Sequence, residues 1–113
     1  MHRGEVWLAN LNPPRGREIG KIRPVVVVQA PELDAGTTPM VVILPMTTRI
    51  IHGLKRFRIT VNARDRLKQD SQVATDQPRA LDRSRMVEGP LAMLTPDEMA
   101  AVESGLRILL GLR

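Results

Sequence analysis

Arg23-Pro24-Val25-Val26-Val27-Val28-Gln29 is the stretch whose reading decides the fold. Val is stiff at χ1 and packs well on a pleated surface. A continuous apolar run of this length, rather than an alternating one, reads as a strand covered on both faces. Pro24 biases Arg23 toward extended backbone, so Arg23 should stand at the mouth of a buried strand on a rigid base. A fixed cation there suits an anion-binding or phosphoryl-transfer site. It fits a solvated strand-edge residue equally well. Just upstream, Arg17-Glu18-Ile19-Gly20-Lys21-Ile22 is a polar, basic, glycine-containing loop.

Outward from this strand the chain breaks into short elements. Glu5 to Asn10 reads as a first strand with Val6 and Leu8 on one face, stopped by Asn12-Pro13-Pro14. Residues 31–39, with Asp34, Gly36 and Thr37, read as a loop. Met40 to Leu44 is a third, buried strand that runs into Pro45-Met46-Thr47-Thr48-Arg49. Lys55 to Val61 alternates, with Phe57, Ile59 and Val61 packed and Arg56, Arg58 and Thr60 on a wet, positive face. Asn62 to Ser71 is a charged loop. Ser71 to Thr75 is a fifth strand entering Asp76-Gln77-Pro78-Arg79, and Val87 to Leu94 a further strand interrupted at Gly89-Pro90. Thr95-Pro96-Asp97-Glu98 is a capping box with Pro at the first helical position. Met99, Val102, Leu106, Leu109 and Leu110 then make an apolar stripe at helical spacing, expected to be core or core plus a dimer contact. Gly105 weakens this helix a little. Many short strands followed by one helix give an α+β, mostly β domain over residues 1–113, a small barrel or strongly bent antiparallel sheet.

Composition narrows the function classes. Lys plus Arg is 17 against 12 for Asp plus Glu, a net charge of +5, and the pI is about 11.0. That favours a polyanionic partner, nucleic acid or an acidic protein. With no Cys, disulfides, thiolate catalysis and Cys-ligated zinc are excluded. Trp7 and Phe57 are the only aromatic residues, so repeated base stacking is not available. RNA would have to be held by guanidinium planes, amides, hydroxyls and backbone. The apolar runs are far short of the roughly 18 residues of a membrane span, and Met1-His2-Arg3-Gly4 lacks a signal-peptide core. A soluble, cytoplasmic protein is the expectation.

No P-loop, HExxH or nucleophile elbow is present. His2 and His52 stand apart, with no ligand spacing for a metal. What recurs is a polar, basic cluster at strand ends: residues 17–23, Thr47-Thr48-Arg49, and Asp76-Gln77-Pro78-Arg79. Converged on one side of a small barrel, these would supply guanidiniums, hydroxyls, a carboxylate and an amide. Left apart, they are solvated strand termini.

At these residues the sequence resembles the MazF/PemK-like toxins of bacterial toxin–antitoxin pairs. Arg3-Gly4-Glu5-Val6-Trp7 looks like their opening strand, and Gly16-x-Glu18 with Arg23-Pro24-Val25 like their loop-and-strand signature. Pro45-x-Thr47 resembles their third-strand exit. Asp76-Gln77-Pro78-Arg79, followed by Asp82, resembles the motif after their fifth strand. The resemblance implies an SH3-like (CcdB/PemK-like) barrel of five to seven strands with a C-terminal helix. It implies a homodimer and a metal- and cofactor-independent endoribonuclease that cuts single-stranded mRNA at short sequences by 2′-OH attack. It implies an acidic, MazE-like antitoxin that covers the groove. Arg23 would stabilise the phosphorane, Thr47 would bond a phosphate oxygen or the reacting hydroxyl, and Asp76 would take the 2′-proton. Arg17, Glu18, Lys21, Thr48, Arg49, Gln77 and Arg79 are candidate RNA contacts, with Arg79–Asp82 as an alternative ion pair.

Two positions depart from one branch of that family, which has His where this chain has Arg17 and Arg where it has Ala74. That branch's acid–base assignment therefore does not transfer whole. A CcdB-like gyrase poison and a non-catalytic RNA- or antitoxin-binding barrel are the alternatives. The first acts through a C-terminal tail containing Trp, whereas this chain ends Leu110-Gly111-Leu112-Arg113.

Overall fold

Val25 to Val28 lie at the centre of an antiparallel sheet and are buried on both sides. Val26 and Val28 join Val6, Leu44, Met46, Val61, Val73 and Val102 in one cluster, and Val25 and Val27 join Ala9, Leu11, Val41, Ile43 and Leu81 in another. In the computed structural model, which describes residues 1–33 and 38–113, the strands are β1 (Glu5–Asn10), β2 (Ile22–Val27), β3 (Met40–Thr47), β4 (Arg58–Val61), β5 (Ser71–Ala74), β6 (Arg79–Asp82) and β7 (Met86–Met93). One helix, α1 (Pro96–Leu110), follows. The loop expected over 31–39 begins with a 3₁₀ turn at Pro31–Leu33; residues 34–37 lie outside the described residues.

The sheet order is β4-β5-β3-β2-β1-β7, with β6 beside the first half of β3. The ladder is strongly bent and is not closed into a barrel among the described residues. β3 explains the bend. Its second half pairs β5 through Met46↔Val73 and Thr47↔Gln72, and its first half pairs β6 through Met40↔Asp82 to Ile43↔Arg79. β3 is therefore longer than Met40 to Leu44. Pro45 lies within it and lines up with Val25 of β2. β7 spans Gly89-Pro90 as one strand, but its pairing with β1 is interrupted there as expected: Val6 faces Ala92 and Leu8 faces Glu88, with a shift of register between them. Gly89 lets β7 lie on the face of Trp7, where an added Cβ would fall 2.4 Å from the indole Cδ2. The single indole is thus packed in the fold, with Nε1 donating to Glu5 Oε1 at 3.0 Å.

The capping box forms as the sequence implies. Thr95 Oγ1 accepts from the Glu98 amide at 3.1 Å, and Glu98 Oε1 accepts from the Thr95 amide at 2.8 Å. Glu98 also takes both prongs of the Arg64 guanidinium at 2.7 Å. Burial pushes the Glu98 carboxyl up, but Arg64 and the Thr95 amide outweigh it and hold it below the usual carboxylate range. Val102 is buried, with Met99 and Leu106 packed beside it. The expected stripe ends there: Leu109 and Leu110 are exposed, with Ile108 and Leu112. Gly105 is the point of closest approach to the sheet. A Cβ there would meet Thr75 Oγ1 at 2.6 Å and the Arg56 carbonyl at 2.7 Å, so this glycine serves packing.

Candidate active site

The β1–β2 loop doubles back on itself and fixes Arg23. Gly20 passes so close to Pro14 that a Cβ would lie 2.5 Å from its Cγ. Lys21 takes a positive φ of 70°, and its amide donates to Asn12 Oδ1 at 2.7 Å. The Gly20 carbonyl then accepts Arg23 Nε at 2.6 Å. Arg23 is half-buried, and no other hydrogen bond or ion pair engages it among the described residues. Its terminal fork is therefore oriented and free, the arrangement that grips a phosphate bidentately.

Thr47 ends β3. The β2–β3 register ends with Val25 opposite Pro45; Arg23 and Thr47 each lie two residues beyond that pair, and strand alternation assigns both to the face of Val25, Val27, Val41 and Ile43. Thr47 Oγ1 accepts the Arg49 amide at 3.1 Å. That bond uses a lone pair and leaves the hydroxyl proton for an incoming acceptor. Thr48 and Arg49 are exposed in the following turn. Pro24 and Thr48 also line a cavity of about 580 Å³ with Arg66 and Lys68, two cations from the segment read only as a charged loop.

Asp76 lies in the turn after β5, four residues beyond Gln72, which faces Thr47, and no hydrogen bond or ion pair joins it to Arg23 or Thr47 among the described residues. Its charged neighbour is Arg58, with Arg58 Nη2 3.7 Å from Asp76 Oδ1. Arg58 is the residue that alternation misplaces. Expected on a wet face, its side chain is only 8% exposed. Arg56 and Thr60 of that face are exposed as expected; Arg58 alone is enclosed, near Gln72, which takes the Ile51 amide and donates back to the Ile51 carbonyl. The signal in the sequence was Ala74, directly across from Arg58, a small residue that leaves room for a long side chain.

Several expected RNA contacts also hold the loop. Gln77 Oε1 accepts the Ile19 amide at 3.1 Å and Arg79 Nη1 donates to the Leu11 carbonyl at 3.2 Å, tying the β1–β2 loop to the β5–β6 turn. Glu18 Oε1 accepts the Arg15 amide at 2.6 Å. With Arg15, Arg17 and Pro78, these three residues line a cavity of about 350 Å³. The Arg17 side chain makes no hydrogen bond among the described residues. The alternative Arg79–Asp82 ion pair does not form. Asp82 instead accepts from the Ser84 hydroxyl at 2.6 Å and amide at 2.9 Å, which hold its carboxyl below the usual range. Among the described residues, no three His, Cys, Asp or Glu side chains are grouped to hold a metal.

A bent antiparallel sheet followed by one capped helix is the architecture of a small toxin of toxin–antitoxin pairs. A family model described as the PemK-like, MazF-like toxin of type II toxin–antitoxin systems matches residues 2–110, and the chain belongs to that family. It is 36% identical to the endoribonuclease MazF of Staphylococcus saprophyticus, over 99% of this chain and 92% of that protein. Its fold is similar to MazF from Deinococcus radiodurans, with a TM-score of 0.83, 33% identity and coverage of 99% and 97% of the two chains. It also superposes on a chain of the MazE–MazF complex from the same organism, with a TM-score of 0.78, 32% identity and coverage of 100% and 97%.

Proposed function

We propose that this chain is the endoribonuclease toxin of a type II toxin–antitoxin pair, cutting single-stranded mRNA at short sequences without a metal ion. The observation that carries the reading is the free Arg23 fork, fixed by the Gly20 carbonyl, with the donor hydroxyl of Thr47 at the end of the neighbouring strand. Both would hold one scissile phosphate. The 2′-oxygen bonds to phosphorus and the P–O5′ bond breaks, leaving a cyclic phosphate and a 5′-hydroxyl. The 2′-proton passes to a base, and the departing 5′-oxygen gains a proton. Charge grows on the phosphorane oxygens, where preorganised donors count most. Asp76 is the candidate base. Arg17, Lys21, Thr48 and Arg49 would follow the RNA backbone, while Gln77, Arg79 and Glu18 would shape the loop that frames it.

The D. radiodurans relative is paired with MazE. By likeness, and from the +5 charge, an acidic antitoxin would dock here with an on-rate that falls as salt rises. A cytoplasmic homodimer fits the apolar side chains left exposed at the end of α1; no helix of the described residues is long and apolar enough to cross a membrane. The test is incubation with a long single-stranded RNA in EDTA, with mapping of new 5′ ends. Discrete cuts should appear, and Arg23→Ala and Thr47→Ala should each slow them by about 100-fold. Full-rate cleavage by Arg23→Ala would sink the mechanism. Stalled gyrase without RNA cuts would favour a gyrase poison, and binding without cuts an inactive barrel.

A further inference from the structure

We propose that Arg58 is a positioning residue of the active site: its buried guanidinium holds the Asp76 carboxylate in its working orientation from across the β4–β5 pair. The proposal rests on the reading of Asp76 as the base.

Three buried side-chain polar atoms lack a hydrogen-bond partner among the described residues, and they form one cluster: Arg58 Nε, Thr75 Oγ1 and Asp76 Oδ1. Buried polar groups are nearly always paired, and orphans that gather in one place mark a site where stability is not what was optimised. Thr75 is wholly buried and the Arg58 side chain is 8% exposed. The one ion-pair partner of Arg58 among the described residues is Asp76, at 3.7 Å, beyond a charge-assisted hydrogen bond of about 2.8 Å. An enclosed Nε with no acceptor, beside so loose a partner, weakens the fold.

The geometry shows what the pair can do. Asp76 Oδ1 faces inward to Arg58, whereas the side chain as a whole is 31% exposed. Oδ2 makes no hydrogen bond and is not among the buried atoms, so it opens to the surface. Arg58 thus fixes one carboxylate oxygen and leaves the other free to accept a proton. Behind the pair, Gly105 of α1 abuts Thr75, so the turn is backed by packed structure. Arg58 also lines a cavity of about 300 Å³ with His52, Lys55, Thr60 and Gln72, on the sheet face that Gln72 shares with Thr47.

The β4–β5 register offers a direct test, because Arg58 and Ala74 are directly opposed, with Cβ atoms about 5 Å apart in such pairs. A guanidinium supplied from position 74 would reach the same space once Arg58 is shortened. Five proteins are compared on an RNA that the unaltered chain cuts: Arg58→Ala, Arg58→Met, the exchange Arg58→Ala/Ala74→Arg, Asp76→Asn, and Arg58→Ala/Asp76→Asn. Each is paired with a thermal melt. Arg58→Ala and Arg58→Met should lower kcat by about 10- to 100-fold with KM within about twofold. The exchange should recover at least about tenfold of that loss. Adding Arg58→Ala to Asp76→Asn should cost little more, since residues acting as a unit are not additive. Arg58→Met fills the volume and keeps the test valid if Arg58→Ala does not fold. Three results would overturn the proposal: wild-type kcat in a folded Arg58 variant, a loss confined to KM, or an exchange that restores the melt and not kcat. If Asp76→Asn cuts at full rate, or the unaltered chain cuts no RNA, the reading of the site falls and this inference with it. If Asp76→Asn is inactive while the Arg58 variants are not, only this inference falls.

Discussion

Arg64 and Arg58 each meet a carboxylate inside the same small fold, and the two pairs are built to opposite standards. Arg64 closes both prongs on Glu98 at 2.7 Å, and Glu98 in turn completes the cap of α1. Each charge there has partners, which is the condition under which a partly buried ion pair supports a fold. Arg58 is more deeply enclosed, with its side chain 8% exposed against 24% for Arg64. Yet it stands 3.7 Å from Asp76 and leaves orphaned atoms on both sides. The better-buried arginine is the worse-bonded one, while its carboxylate, at 31%, is more exposed than Glu98 at 17%. Stability alone would favour the reverse, so the difference separates a pair that fastens the helix from a pair that the site requires.

Asp76→Asn breaks the comparison most sharply. It removes a general base, with an expected loss of about 10²- to 10⁴-fold in cleavage rate. The melting temperature should change little, because Asp76 is 31% exposed and stands 3.7 Å from Arg58 without a hydrogen bond to it. Single-turnover cleavage with a parallel melt reads both. A variant that melts early and cuts normally would place Asp76 with Glu98 as a structural carboxylate.

Glu98→Ala should do the converse. It strips the Arg64 guanidinium and the Thr95 amide of their acceptor, at a cost of about 2–3 kcal/mol. Denaturant unfolding should show this, while kcat stays near the unaltered value. Activity lost in proportion to neither stability nor folded fraction would show that the two pairs are coupled.

Most of the Glu98 half was legible from the sequence. Thr95-Pro96-Asp97-Glu98 is a local code, and its partners lie three residues apart. The central strand was legible for a similar reason, since Val25 to Val28 state their burial by composition. The Arg58 half was not. Alternation assigns Arg58 to a face with the exposed Arg56 and Thr60, but it does not carry the enclosure of Arg58 itself, near Gln72 and its bonds to the Ile51 backbone 21 residues away. Likewise Ala74 reads as a missing cation along the chain, while the fold places Arg58 directly across from it. β6 was missed because Arg79 to Asp82 is held by pairing with β3, not by any β-branched pattern of its own. The pairings of Val25 with Pro45 and of Thr47 with Gln72 follow from register, which a single sequence does not carry.

Gly105→Ala tests whether the helix reaches the loose pair. The substitution gains about 1 kcal/mol of helix propensity. It also forces a methyl to within 2.6 Å of Thr75 Oγ1 and 2.7 Å of the Arg56 carbonyl. Overpacking of this kind costs about 1–3 kcal/mol, so a net loss of about 1 kcal/mol is expected. Since Thr75 adjoins Asp76, cleavage should fall further than stability alone explains. A more stable, fully active variant would show that α1 shifts away freely.

The smallest effect is the one that acid brings out. The folded-state pKa of Glu98 lies below its ordinary value, because Arg64 and Thr95 outweigh the effect of burial. Its contribution to stability is therefore fully present above the unfolded-state value of about 4.3, and it is lost as pH falls through the lower folded-state value. Glu98→Gln keeps the size of the side chain and much of its hydrogen bonding to Thr95 but removes the charge. The unaltered chain should exceed Glu98→Gln by about 1 kcal/mol at neutral pH, and the gap should close only once the pH has fallen well below 4.3. The gap should also survive added salt better than an exposed ion pair would, because both partners are mostly withdrawn from water. A gap that ignores acid would mean that shape and the cap, rather than charge, make the Arg64–Glu98 pair the firm one.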